Sequence, residues 1–174
     1  MTGIDTPIFT EADIYVIENT NREVLKVSIE FLKTYNEVMW EDGDTGDIVT
    51  LSELRGRQTR IQPCPIYPEK LRQMGEMFWR MMWKRKDLRI KLRAEGYFSK
   101  TSFAAECPGT MFSAAAIASV ICDAFVRERT WDGLFGHGVE NGLYLKMLLR
   151  LEDLISYYDY SKATPVEGCG CNEN

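Results

Sequence analysis

A mainly α domain is the fold class this sequence predicts: a four-helix, bundle-like arrangement with a short irregular or β-hairpin insertion between the first two helices. Three observations predict it. Apolar residues recur at alternating steps of three and four through most of the chain, the spacing that lines one face of a helix. Start and stop signals bracket those stretches, among them a hydroxyl cap at Thr10, Pro68 at a helix start and Gly96 at a helix end. The densest cluster of turn-forming residues, Asp42-Gly43-Asp44-Thr45-Gly46-Asp47, falls between the first two helices. With 174 residues, the chain fits one helical domain over 1–163 and a flexible tail over 164–174.

The first helix begins at Thr10-Glu11-Ala12-Asp13, a hydroxyl with a carboxylate three residues on. Ile14, Ile17, Asn21, Val24, Ser28, Phe31, Tyr35 and Val38 then keep the helical spacing, which predicts one helix from 11 to 40. The same stretch carries a competing pattern. Leu25, Val27, Ile29 and Phe31 alternate with Lys26, Ser28 and Glu30, and Asn19 to Arg22 has turn character, so a hairpin over 12–33 is the alternative. On that reading the class becomes α+β with a small N-terminal antiparallel sheet.

After the turn cluster come an extended piece, Ile48-Val49-Thr50, and a helical turn at Ser52 to Arg55. Pro63, Pro65 and Pro68 punctuate a linker. The second helix runs from 68 to 95, with Leu71, Met74, Phe78, Met81, Leu88 and Leu92 as one stripe. Met77, Trp79, Met82, Trp83 and Ile90 widen that stripe, so this helix must be covered on several sides or offer an apolar patch to a partner. The third helix, 111–130, is rich in alanine and belongs in the centre, where small side chains let neighbours approach. A glycine-rich connection, Trp131 to Gly138, leads to a fourth helix over 142–160 with Leu148, Leu151, Leu154, Ile155 and Tyr158 inward.

Composition places the chain among ordinary globular proteins, with 45% hydrophobic and 27% charged residues. The N-terminal residues carry no basic segment followed by an apolar one, and the longest charge-poor run is too short for a membrane span; a cytoplasmic protein with reduced thiols and no membrane partner is expected. Five cysteines at irregular spacing give no disulfide framework.

Charge is sorted into blocks. Residues 54–100 hold thirteen cations against four anions, a balance of +9, which leaves −14 for the remainder of a chain whose total is −5. A positive block inside an acidic protein needs a counter-charge, from its own acidic segments or from a partner. Within it, Lys84, Arg85, Lys86, Arg89 and Arg93 stand beside Trp79 and Trp83, a mixture suited to carboxylate or phosphate contacts with stacking.

Three weaker patterns touch on chemistry. Asp42, Asp44, Val49 and Glu53 fall at positions 1, 3, 8 and 12 of a segment that resembles an EF-hand calcium loop. Gly46 and Asp47 reverse the order that the loop requires at positions 5 and 6, which favours a plain acidic turn. Cys169-Gly170-Cys171 offers two sulfurs to one soft metal, half of a tetrahedral site. His137, the only histidine, sits among glycines ahead of a helix, where exposed amides can meet an anion. Asp123, interrupting an apolar helix, calls for a cation such as Arg127 one turn later.

No nucleophile elbow, phosphate loop or catalytic constellation emerges, and no cofactor is implied. The expected function is a non-enzymatic interaction protein, an adaptor, inhibitor or assembly component of the kind viruses and mobile elements encode, whose basic aromatic helix engages an acidic protein partner. The alternatives are a small thiol- or metal-dependent enzyme or metal-binding protein using His137, Cys169 and Cys171, and a nucleic-acid binder using 84–93.

Overall fold

The computed structural model describes residues 7–94, 112–128 and 133–164. In chain order these form α1 (Glu11–Asn19), α2 (Arg22–Leu32), β1 (Met39–Glu41), β2 (Ile48–Thr50), α3 (Leu51–Arg55), β3 (Cys64–Ile66), α4 (Glu69–Trp83), α5 (Lys86–Ala94), α6 (Ala114–Arg127), α7 (Leu134–Glu140) and α8 (Leu143–Ala163). The class is mainly α with a small antiparallel sheet of order β2-β1-β3. No described helix is long and apolar enough to cross a membrane.

The predicted capping box at Thr10 is present. Asp13 N donates to Thr10 Oγ1, and Thr10 N donates back to Asp13 Oδ2. The single helix expected over 11–40 is instead two helices and a strand. Thr20 leaves the helical region, and the Asn21 side chain accepts from the amides of Glu23 and Val24, starting α2 afresh. The turn character at Asn19 to Arg22 was real, but helices flank it rather than the strands of the hairpin alternative.

The second predicted helix is likewise two, broken at Lys84 and Arg85. The linker expected around Pro63 and Pro65 supplies a third strand. Ile66 pairs with Met39, Pro65 with Trp40 and Cys64 with Glu41, and β3 lies at the sheet edge, where a proline is tolerated. The glycine-rich connection before the last helix holds α7.

α6 occupies the centre, as its composition predicts. Every residue from Ala114 to Ala124 is buried, and α1, α4, α5, α7 and α8 all pack on it. Its closest fit is with α4, where a Cβ added at Gly75 would come within 2.2 Å of the Phe125 ring. Phe78, Met74, Ile117, Ile121, Met147, Leu148 and Leu151 fill the interior between α4, α6 and α8. Asp123 is buried on α6 and pairs with Arg127 at 3.1 Å, the partner expected from helical spacing. A second, smaller cluster of Trp40, Val49 and Leu54 joins the sheet to α3.

Candidate partner-binding surface

The α4–α5 corner carries the predicted basic aromatic segment, and the structure divides its residues by role. Arg85, at the break, is consumed internally. Its Nε and Nη2 donate to both oxygens of Asp87 at 3.0 and 2.8 Å, Nη2 reaches Glu11 at 3.4 Å, and the guanidinium stacks 4.9 Å from the Tyr15 ring centroid. This network fastens the corner to α1. The donated bonds from Arg85 hold the Asp87 carboxyl down at about 2. Burial pushes the Tyr15 phenol above its ordinary value, and its hydroxyl donates to Met81 O at 2.7 Å. The role expected for Arg85 in partner binding therefore has to share that side chain with the fold.

The other predicted residues are more available. Trp83 is 58% exposed, tilted against the half-buried Trp79 with ring centroids 5.8 Å apart, and the Arg89 guanidinium lies 4.6 Å from its ring centroid. Ile90, on α5, is also exposed. Lys84, Lys86 and Lys91 are exposed and form no ion pair among the described residues. The side chain of Arg93 lies outside the described residues. Elsewhere the positive block is neutralised only in part, since Arg55, Arg60 and Lys70 form no ion pair among the described residues. Arg57 meets Asp42 and Asp47, Arg72 meets Glu69, and Arg80 meets Glu76. The +9 of the sequence is thus not one outward surface; among the described residues Lys84, Lys86 and Lys91 at the corner, and Arg55, Arg60 and Lys70 before it, form no ion pair.

The acidic turn is the tip of the β1–β2 hairpin. Asp42 Oδ1 accepts the amides of Asp44 and Thr45, and Oδ2 accepts from Arg57 at 3.0 Å; these bonds lower the Asp42 carboxyl below its usual range. Asp44 accepts the amides of Arg60 and Ile61, while Glu53 caps α3 by accepting from Thr50 N. The three predicted calcium ligands are engaged separately by the protein's own donors, and no group of three metal-ligating side chains occurs among the described residues. Cys169 and Cys171 lie outside the described residues. Cys64 is an exposed free thiol and Cys122 a buried one, which burial pushes up to about 12.

The glycines around His137 do present amides to an anion, but that anion is Glu128. Its Oε1 accepts Gly133 N at 2.7 Å and the Tyr67 hydroxyl at 2.6 Å, and its Oε2 accepts Phe135 N at 2.6 Å. Gly136 N donates to the same Tyr67 oxygen at 3.1 Å. Burial, with Glu128 beside it, drives the Tyr67 phenol far above its ordinary value. His137 itself is exposed on α7. Nothing local in the sequence marked Glu128 or Tyr67, since they meet across 61 residues.

A cleft of about 310 Å3 opens beside the corner, between α1, α2 and α4, and includes Tyr15, Val24, Met77, Arg80, Met81 and Lys84 in its lining. It exists because the chain turns at Thr20 and Asn21, a break that the apolar spacing concealed. No protein family, curated protein or solved structure matches this chain.

Proposed function

We propose that the protein is a non-enzymatic interaction protein that engages an acidic protein partner through the α4–α5 corner. Trp83 carries the reading. A large indole held more than half exposed, with an arginine against its ring and Lys84 and Lys86 following it without an ion pair among the described residues, is poorly explained by folding alone. Tryptophan and arginine are the side chains over-represented among residues that dominate binding energy. The lysines supply attraction and orientation for carboxylates.

Side-by-side capture tests this reading. Wild-type protein and a Lys84→Glu/Lys86→Glu variant are used as bait in nuclease-treated extract of the native host. The expected result is an acidic protein retained by the wild type, lost from the variant and released by moderate salt. Equal retention by both baits contradicts the proposal, and retention that depends on nucleic acid surviving the nuclease assigns the surface to that class of partner instead.

A further inference from the structure

At roughly 100° per residue, Trp83, Arg80, Lys84 and Met77 follow one another around α4 within an arc of about 120°. A cationic ridge therefore separates two apolar strips, the exposed indole on one side and the cleft on the other. The cleft's apolar wall is made by half-buried Tyr15, Val24 and Met77 and by buried Met81; Arg80, Lys84 and the Arg80 partner Glu76 also line it, with the neutral Asn19, Asn21 and Gln73. Its volume of about 310 Å3 stands at the small end of ligand pockets, which run from roughly 300 to 1,000 Å3. Lys84 forms no ion pair among the described residues, and the Arg80–Glu76 contact is an exposed helical pair at 3.4 Å. Such a pair contributes little and gives way readily to a better-placed carboxylate.

From this juxtaposition we propose that the cleft receives an apolar side chain from an acidic, amphipathic segment of the partner, whose flanking carboxylates meet Arg80 and Lys84. The inference rests on the reading of the Trp83 corner as the partner surface. Charge selects the occupant: an aliphatic anchor satisfies the wall, and only an anionic flank satisfies the ridge beside it. A basic or purely apolar segment leaves Lys84 facing like charge or no charge. A uniformly anionic strand leaves the wall of the cleft uncovered.

The test is a titration of the full chain, labelled at its methionine methyl groups and indole nitrogens, with a short synthetic peptide of aspartates and glutamates bearing one central leucine. A second peptide replaces that leucine by alanine. Met77→Leu assigns the cleft methyl signal, and undisturbed signals from buried Met74 and Met147 confirm the fold of each variant. The leucine peptide is expected to shift the Met77 and Met81 methyls and the Trp83 indole. The alanine peptide is expected to bind on the order of tenfold more weakly, the effect of losing one buried aliphatic side chain. If the two peptides bind equally and move Trp83 but not Met77, the cleft proposal falls and the corner reading stands. If neither peptide moves either signal, both fall. A mixed-sequence oligonucleotide that displaces the leucine peptide at lower concentration overturns the choice of an acidic polypeptide as occupant.

Discussion

The carboxylate of Asp13 accepts the amide of Ala115 at 3.0 Å across 102 residues, while its other oxygen accepts from the amide and hydroxyl of Thr10 at 3.0 and 2.9 Å. One buried side chain thereby caps two helices and ties the start of the chain to the central α6. Asp13→Ala removes the carboxylate half of the Thr10 capping box and leaves the Ala115 amide buried without its acceptor. Cap loss costs about 1 kcal/mol and an unmet buried donor roughly 1–3 kcal/mol, so a destabilisation of about 2–4 kcal/mol is expected in urea unfolding. A loss below about 0.5 kcal/mol would show that the link between α1 and α6 contributes nothing.

Glu128 and Tyr67 form the corresponding link for α7. Glu128→Gln places an amide donor against backbone N–H donors and is expected to cost about 2–4 kcal/mol; Tyr67→Phe, which removes one hydroxyl, should cost about 1–2 kcal/mol. Because Tyr67 bridges Glu128 and Gly136, the double variant should lose less than the two single losses added together. Strict additivity in denaturant unfolding would contradict a shared network.

Alkali should probe the same site. Burial raises the Tyr67 and Tyr144 phenols well above 10 in the folded state, whereas the unfolded chain releases those protons near 10. Above that value the native state holds more protons than the unfolded one, so stability is fully present below about pH 10 and falls as pH rises further. Phenolate absorbance should accordingly stop short of the eight tyrosines until unfolding, and Tyr67→Phe should flatten part of the decline. Smooth titration of all eight near pH 10 in folded protein would refute the burial of these two.

Gly138 lies under Tyr144, whose ring would stand 2.3 Å from an added Cβ. Gly138→Ala is expected to destabilise the protein by roughly 1–3 kcal/mol through overpacking, measured as a fall in urea midpoint with unchanged slope. An unchanged midpoint would mean that α7 and α8 are looser than described.

Legibility followed distance along the chain. The capping box at Thr10, the Ser113 side chain that accepts Ala116 N, and the Asp123–Arg127 pair all involve partners three or four residues apart, and each could be read from spacing. The break at Thr20 was hidden because the apolar rhythm of α1 resumes in step in α2, with Asn21 occupying a slot in the pattern while acting as a cap. β3 was hidden by Pro65, which suits a linker as well as an edge strand. α7 contains two glycines and depends on Glu128 and Tyr67, so helical propensity alone did not mark it. In the candidate site, the basic and aromatic residue types of the α4–α5 corner were legible as one segment. It could not separate Arg85 from Arg89, because Tyr15 and Glu11, which occupy Arg85, are about seventy residues away.

Trp83 and Trp40 offer the most direct comparison, since one indole is 58% exposed and the other 8%. Trp83→Ala and Trp40→Ala are compared with wild type for thermal midpoint and for capture of the acidic partner. Trp83→Ala is expected to keep its midpoint within about 2 °C and lose the partner, whereas Trp40→Ala lowers the midpoint. A Trp83→Ala protein that retains the partner as well as wild type would contradict the assignment of the α4–α5 corner as the binding surface.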